Sequence, residues 1–415
     1  MKYILIVLLS INIFAVDATL KIRKDTQLRA KISLVDSSQG VSRALSDKFF
    51  SILLSDLKIS GHFIGDKNHY RESTLSSTVA SNLKSKDYIL KYRLSQGSGV
   101  KVDIILLSAR DGHVVTKKDY RISSTSKYPF LAHKVISYIN STLKYTDISW
   151  INRYVVFSRY TTAKRSEIVL ADYTMNFKKT VIRGGLNLFP KWADKNQRSF
   201  YYTSFSGTLP TLYRLNIYNG SKSRITSSQG MLVCSDVSSS GSRILVTMAP
   251  NAQPDIYEMS AGGGSARRVT KFSGIDVSGK YINGDSAIAF VSNRMGYPNI
   301  YKKSISGSAV SQVVFRGRNN NAVDTHKDKI VYSSRESHKR YGQNRFNLYL
   351  TSTTSSGTRP LTSSGVNQFP RFSIDGSTIL YIKQYQNRSS IGYINLLSNQ
   401  NLLFPLGEKV QSIDW

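Results

Sequence analysis

The chain has 415 residues, of which 40% are hydrophobic, so it is long enough for two domains and too apolar to be disordered throughout. Its 57 lysines and arginines outnumber its 26 aspartates and glutamates, and the resulting formal charge of +31 favours acidic partners. The basic residues are scattered and form no run of five or six, which argues against a nucleic-acid-binding tail. We expect a generally basic, solvated surface.

The first 18 residues have the pattern of a secretory signal peptide. Lys2 precedes an apolar run over residues 4–16, which at about 13 residues is too short to span a bilayer comfortably. The small residues predict cleavage after Ala18, and a cut after Ala15 also fits. No later stretch approaches 18 consecutive apolar residues. We expect an exported, soluble protein of the periplasm whose mature chain begins near Thr19.

Two amphipathic helices are predicted in the N-terminal part of the chain. Apolar residues recur every four positions over residues 41–57 and again over residues 129–143. Ser37, Ser38 and Gly40 are the candidates for capping the first helix. Between the helices, three segments with alternating apolar residues predict strands joined as two successive hairpins. These segments are residues 88–94, 100–104 and 113–122.

From residue 146 onward the helical period disappears, and short strands alternate with turns rich in Gly, Ser and Asn. A pair of residues, usually an apolar residue followed by tyrosine, recurs six times, and its second members are separated by 44, 44, 44, 48 and 44 residues. The second members are Val169, Tyr213, Tyr257, Tyr301, Tyr349 and Tyr393. A fixed period of this length is typical of propeller blades.

Ring closure is predicted from the two ends of the repeat region. The first copy begins with its second strand at residues 153–158, and the last residues, 410–415, resemble the innermost strand of the other copies. We infer that the C-terminal strand completes the first blade, which removes the unpaired strand edges. An open solenoid of stacked repeats is the alternative.

The sequence therefore predicts an α+β N-terminal domain followed by an all-β six-bladed β-propeller. The expected boundaries are a signal peptide over residues 1–18, a small α/β domain over residues 19–145 and the propeller over residues 146–415.

The sequence contains no recognised catalytic or cofactor-binding motif. The six histidines show no metal-ligand spacing, and no GxSxG motif is present. Asp324 and His326 could form half of a metal site, but they have no further ligands nearby in sequence. Cys234 is the only cysteine, and its apolar neighbours predict an ordinary buried thiol. We expect no enzyme activity, no cofactor and no metal.

Several stretches of the mature chain resemble the TolB family of the periplasmic Tol-Pal system, and the resemblance covers essentially all of it. In the N-terminal domain these are residues 57–63, 86–90 and 132–136, and in the propeller they are residues 189–192, 290–301 and 369–376. The resemblance implies a non-enzymatic interaction module of the periplasm that acts as a monomer. Its implied partners are the lipoprotein Pal, bound by the propeller, and the inner-membrane protein TolA, bound by the mature N-terminal segment.

The resemblance also implies where these partners bind. TolA would contact the segment formed by Thr19, Leu20, Lys21, Ile22 and Arg23. Pal would contact the channel mouth where each innermost strand begins, at Asn187, Pro190, Lys191, Asn293, Arg294, Asn319, Asn321, Asn367, Pro370 and Arg371. Reversing the charges of Arg294 and Arg371 is then expected to weaken Pal binding and to leave the melting temperature nearly unchanged.

Two other function classes remain open at the level of sequence. One is a propeller lyase or hydrolase that acts on an acidic polysaccharide, which the positive charge would attract. The other is binding of anionic lipid or nucleic acid through charge alone, which predicts a steep dependence on salt concentration.

Overall fold

The computed structural model describes residues 29–336, 345–355 and 357–415. The predicted signal peptide and the predicted TolA-binding segment, residues 19–23, lie outside the described residues. In the described part of the chain, no helix is both long enough and apolar enough to cross a membrane.

The N-terminal domain is a mixed sheet with two helices packed on one face. The elements are β1 (Ala30–Asp36), α1 (Arg43–Ser60), β2 (Phe63–Gly65), β3 (Tyr70–Arg71), β4 (Tyr88–Gln96), β5 (Val100–Ser108), β6 (Val114–Ile122) and α2 (Tyr128–Thr142). The sheet order is β2-β1-β4-β5-β6, and β1 pairs in parallel with β2, β3 and β4. The antiparallel pairs β4–β5 and β5–β6 are the two hairpins predicted from the sequence.

Helix α1 has well-defined caps at both ends. Ser42 is the N-cap, and its Oγ accepts a hydrogen bond from the Leu45 N–H at 3.2 Å. The helix therefore starts later than the capping candidates at residues 37–40 would place it. Gly61 ends the helix at φ +79°, and a Cβ atom there would lie 2.5 Å from the Ser398 Cβ. Glycine is thus required both by the left-handed backbone and by the close approach of the propeller.

The helical periodicity of the sequence marks the buried faces correctly. The residues of both predicted stripes are buried or half-buried, and they pack with the sheet in a single core cluster. These residues are Leu45, Phe49, Leu53, Leu57, Leu131, Val135, Ile139 and Leu143.

The C-terminal domain consists, in the described part of the chain, of six four-stranded antiparallel meanders, numbered 1 to 6 here. Meander 1 contains β7 (Val155–Thr162), β8 (Arg165–Ala171), β9 (Lys178–Ile182) and the C-terminal strand β30 (Val410–Asp414). Meander 2 contains β10 (Asn187–Trp192), β11 (Ser199–Ser204), β12 (Thr211–Asn216) and β13 (Lys222–Ser227). Meander 3 contains β14 (Leu232–Val237), β15 (Arg243–Met248), β16 (Asp255–Ser260) and β17 (Ala266–Arg268).

The other three meanders follow the same plan. Meander 4 contains β18 (Asp276–Ile282), β19 (Ala287–Ser292), β20 (Asn299–Ser304) and β21 (Val310–Gln312). Meander 5 contains β22 (Arg318–His326), β23 (Lys329–Arg335), β24 (Phe346–Ser352) and β25 (Arg359–Pro360). Meander 6 contains β26 (Val366–Phe372), β27 (Thr378–Tyr385), β28 (Arg388–Asn395) and β29 (Asn401–Leu406). Meanders 5 and 6 are joined into one sheet by the single residue pair Phe346–Val366.

The chain termini of this domain close a ring. Strand β30 pairs antiparallel with β7, with Ile413 opposite Phe157. The first strands of successive meanders contact one another in a circle, from β30 through β10, β14, β18, β22 and β26 and back to β30. This circle confirms that the C-terminal strand completes the first repeat, and it excludes the open solenoid.

The two ends of the ring are different. At one end, which we call the mouth, each first strand begins, and the chain passes there from one meander to the next. The N-terminal domain packs against the opposite end, where the Asn395 side chain donates to the Ile59 carbonyl at 3.0 Å. The Trp150 ring, just before β7, lies 5.0 Å from the Trp415 ring in the same interface. The mouth is therefore left uncovered by the N-terminal domain.

Candidate functional site at the mouth of the propeller

Two of the asparagines predicted to contact Pal stabilise turns at the mouth through side-chain hydrogen bonds. Asn187 and Asn367 are buried, and their side-chain amides donate to the carbonyls of Gly184 at 2.6 Å and Ser364 at 2.9 Å. Each bond spans three residues and closes the connection that enters a first strand. Both side chains therefore support the mouth from within and offer little surface to a partner.

The corresponding residue of meander 5 is Asn320, which lies between the predicted Asn319 and Asn321. Its Nδ2 donates to the Arg316 carbonyl at 2.9 Å, and the side chain is fully buried. Asn319 has a left-handed backbone with φ +67°, and its Oδ1 accepts from the Asn321 amide at 3.3 Å. These three asparagines stabilise the loop through hydrogen bonds. Asn319 and Asn321 are half-buried and remain partly accessible to a partner at the mouth.

Asn293 and Arg294 begin the loop between β19 and β20. The Asn293 Oδ1 accepts from the Ile275 N–H at 2.7 Å. The Arg294 guanidinium lies 3.0 Å from the carboxylate of Asp276, which is fully buried, and 5.1 Å from the Phe272 ring. Reversing the Arg294 charge would leave Asp276 buried without a counter-charge, which is strongly destabilising. The structure therefore contradicts the expectation that such a reversal leaves the melting temperature nearly unchanged.

The feature of the mouth that sequence reasoning missed is its exposed apolar surface. Phe315 and Met295 are 81% and 75% exposed, and both lie in connections at the mouth. Seven large apolar side chains are exposed on this end of the described chain: Leu209, Met231, Ile275, Met295, Tyr297, Phe315 and Tyr385. Exposed apolar residues of this size, grouped on one face, are typical of a protein-binding surface.

A groove lies within this surface between meanders 4 and 5. It has a volume of about 690 Å³ and is lined by Tyr297, Phe315 and Arg318, together with Pro298 and Asn319. The Arg318 guanidinium lies 5.3 Å from the centre of the Tyr297 ring, which places a cation against an aromatic face. Aromatic residues and arginine are the residue types enriched in protein interfaces.

Beyond the mouth, a ring of alternating charges surrounds the central channel. Every first strand contributes one charged residue at an equivalent position, and cations alternate with carboxylates around the circle. In ring order these residues are Asp414, Lys191, Asp236, Lys280, Asp324 and Arg371. The predicted contact residues Lys191 and Arg371 thus belong to this ring, while Pro190 and Pro370 precede them and are buried.

The charged residues of the ring pair with their neighbours. The Lys191 Nζ lies 3.2 Å from Asp414 and 3.7 Å from Asp236. The Lys280 Nζ lies 2.8 Å from Asp324 and 3.9 Å from Asp236. Burial alone would raise the pKa of Asp324, but the positive charges around it lower this pKa to about 2. Its carboxylate is therefore ionised at neutral pH.

Each carboxylate of the ring also joins two neighbouring meanders. Asp414, Asp236 and Asp324 accept hydrogen bonds from the backbone N–H groups of the next first strand, at Trp192, Tyr281 and Phe372 respectively, over 2.8 to 2.9 Å. Asp324, considered above as half of a metal site, is thus engaged by Lys280 and by a backbone amide. Within the described residues, no group of three potential metal ligands is present.

Comparison with known proteins identifies the family. The family model of the TolB beta propeller domain matches residues 149–411. The Tol-Pal system protein TolB of Wolinella succinogenes is 42% identical to this chain, over 97% of both chains. The chain belongs to the TolB family. The Tol-Pal system protein TolB of Campylobacter jejuni is 38% identical over 97% of both chains.

A solved structure of a TolB family member supports the fold. The chain is similar to the crystal structure of TolB from Acinetobacter baumannii, with a TM-score of 0.76 and 22% identity over 93% of this chain and 96% of that chain. The family model and the TolB relatives confirm the resemblance inferred from sequence motifs and assign the chain to the Tol-Pal system.

The interface between the two domains contains a buried charged cluster. In this TolB family chain, the His133 Nδ1 lies 2.9 Å from the Asp56 carboxylate, and the Nε2 lies 3.3 Å from the Asp172 carboxylate. The Tyr173 hydroxyl donates a hydrogen bond to Asp56. His133 and Asp56 come from the two helices, whereas Asp172 and Tyr173 follow β8 of the propeller. The cluster therefore fixes the orientation of one domain relative to the other.

Proposed function

We propose that the protein is a periplasmic protein-interaction component of the Tol-Pal system and not an enzyme. The mouth binds the lipoprotein Pal, and the segment formed by residues 19–23 binds TolA. Through these contacts the monomeric protein supports outer-membrane integrity and envelope constriction during cell division.

The observation that carries this proposal is the exposed apolar surface of the mouth. Its side chains include Met295, Tyr297 and Phe315, which are 75%, 55% and 81% exposed. Exposure of such apolar surface to water is unfavourable. A partner that covers it makes the free energy of binding more favourable in proportion to the apolar area that is buried. The nearby Arg318 and the overall charge of +31 complement an acidic partner.

A binding role, as opposed to catalysis, is also supported by the contacts of the channel carboxylates, which are occupied by hydrogen bonds and ion pairs. Asp236, Asp324 and Asp414 each accept a backbone hydrogen bond and each lie within 4 Å of a cation. A general acid or base needs a carboxylate that can exchange a proton near neutral pH. The carboxylate of Asp324, whose pKa is about 2, does not meet this requirement.

The proposed TolA-binding segment precedes Arg29 in the chain, and Arg29 lies at the end of the ring opposite the mouth. The described chain begins at Arg29, whose guanidinium lies 3.0 Å from the side-chain amide group of Gln400. Gln400 lies between β28 and β29, at the end that faces the N-terminal domain.

The proposal is tested by measuring the affinity of the mature protein for soluble Pal by isothermal titration calorimetry. Replacing Met295→Ser together with Phe315→Ser should weaken binding at least tenfold, about 1.4 kcal/mol, because both side chains lose apolar contact area. The melting temperature should change little, since both side chains are largely exposed.

The matched control removes apolar surface from the other end of the ring. Tyr218 and Ile374 are 73% and 45% exposed and lie in turns opposite the mouth. Tyr218→Ser with Ile374→Ser should leave Pal affinity within twofold of that of the unmodified protein. Equal losses in the two double variants, or no loss in either, would refute the assignment of Pal to the mouth.

A further inference from the structure

The channel contains a cavity between the mouth and the charged ring. Its volume is about 160 Å³, and its apolar wall includes Phe189, Met231, Val233, Val323 and Phe369. The charged residues that line it are Lys191, Lys280 and Arg371, and no carboxylate is among the lining residues that the structure describes. The cavity thus presents three cations within an otherwise mainly apolar wall.

The carboxylates are absent from the lining because they are directed between the meanders. Each of the three ring aspartates uses one oxygen to accept a backbone N–H of the neighbouring first strand. These hydrogen bonds hold the negative charges in the wall of the channel. The three cationic side chains pair with these carboxylates and also line the open space of the cavity.

Two of the cations retain unused hydrogen-bond donors. The Lys280 side chain is 2% exposed, and its Nζ lies 2.8 Å from Asp324, which leaves the other N–H donors of this ammonium group without a hydrogen-bond partner among the described residues. The Arg371 Nε is also buried without a hydrogen-bond partner in the described chain, although Asp414 lies 3.7 Å away. Buried donors without an acceptor are costly, and a bound anion would supply acceptors.

We propose that this cavity is a binding site for a small oxyanion, such as inorganic phosphate or a carboxylate. A water molecule occupies about 30 Å³ in the liquid, so the cavity has room for one anion of a few heavy atoms. Lys280 and Arg371 donate to its oxygens, and Lys191 adds a third positive charge. The site does not depend on the proposed binding of Pal, because it lies inside the channel of the isolated protein.

The test is calorimetric titration of inorganic phosphate into the mature protein in a chloride buffer at constant ionic strength. We expect saturable binding of one phosphate per chain. Lys280→Met, which removes the charge and keeps an unbranched apolar side chain, should weaken this binding at least tenfold. Lys195→Gln, which removes an exposed charge between β10 and β11, should leave the affinity unchanged. Absence of saturable binding, or equal weakening in both variants, would overturn the proposal.

A second measurement uses the unmodified protein and does not depend on the folding of a variant. Selenate, a tetrahedral oxyanion that anomalous scattering can locate, should occupy the cavity in crystals at about 3 Å from the Lys280 Nζ. Selenate found only on the outer surface would refute the site. Comparing acetate with phosphate in the same titration identifies the preferred anion: tighter phosphate binding indicates a free tetrahedral ion, and tighter acetate binding indicates a carboxylate.

Discussion

His133 carries a charge in the fully buried interface between the two domains. Burial alone would lower its pKa, but the negative charges of Asp56 and Asp172 and its hydrogen bonds to them raise this pKa to about 9. Burial also raises the pKa of Asp56. Both shifts have the same consequence, because the folded cluster keeps a proton at a pH where the unfolded chain has released it.

We expect the free energy of unfolding to fall as the pH rises from about 6.5 to about 9. The protonated cluster stabilises the folded protein fully at pH values below the pKa of histidine in the unfolded chain. This stabilisation is lost as the pH rises through the pKa of His133 in the folded protein. The loss amounts to about 3 kcal/mol at most for a shift from 6.5 to about 9. Urea unfolding at a series of pH values measures it.

Two histidine variants separate this effect from general alkaline destabilisation. His133→Gln removes the titrating group, so its stability should depend much less on pH over this range. His113→Gln changes an exposed histidine and should keep the slope of the unmodified protein. Parallel curves for the unmodified protein and His133→Gln would contradict the assignment.

Sequence patterns predicted the positions of some of the charged residues in the channel, but they did not predict which side chains these residues pair with. Lys191 and Arg371 were predicted at the mouth from their position in the repeat, whereas the ring that they form with four other residues was missed. Reading the residue equivalent to Lys191 in every repeat would have shown the alternation of charges. The His133 cluster offers no such signal, because Asp56 and Asp172 lie 77 and 39 residues away in the chain.

At the scale of elements, strand β30 joins the last part of the chain to the first meander. It pairs with β7, and Trp415, which directly follows it, donates its indole N–H to the Phe372 carbonyl at 2.7 Å. Asp414 supplies one carboxylate of the channel ring and accepts from the Trp192 N–H at 2.8 Å. One short strand therefore contributes to strand pairing, to the channel and to the domain interface.

Deletion of residues 411–415 should destabilise the protein by at least about 3 to 5 kcal/mol, the usual cost of losing one buried tryptophan. This is a large fraction of the stability of a typical domain. Chemical denaturation of the truncated protein measures the loss. Gln411→Ala keeps the strand and its backbone pairing, and it should cost less than about 1 kcal/mol. A truncated chain as stable as the full-length one would show that β30 does not close the ring.

Sequence periodicity identified the elements whose signals are local. The two helices and the two hairpins of the N-terminal domain were predicted within a few residues, because their apolar spacing and turn residues are continuous in the chain. Strand β1 was missed. It pairs in parallel with β4, and its partner residues, such as Ile32 and Tyr88, are far apart in sequence. Parallel pairing leaves no hairpin turn in the sequence to mark it.

At the scale of the whole molecule, the N-terminal domain and the propeller share one hydrophobic core. Buried residues of α1 and α2 belong to the same cluster as residues of meanders 1 and 6. Trp150 lies at the centre of this cluster, with its ring 5.6 Å from Tyr173 and 5.0 Å from Trp415. Because this core crosses the interface, we expect neither domain to unfold without disturbing the other.

Differential scanning calorimetry of the mature protein should accordingly show a single unfolding transition. Trp150→Ala leaves a gap at the shared core, so the two domains should uncouple and two transitions should be resolved. Trp192→Ala is the matched control, because Trp192 is also buried but packs between meanders 1 and 2, away from the N-terminal domain and 5.9 Å from the Phe200 ring. It should lower the melting temperature and preserve one transition. Two transitions in the unmodified protein would show that the interface does not couple the domains.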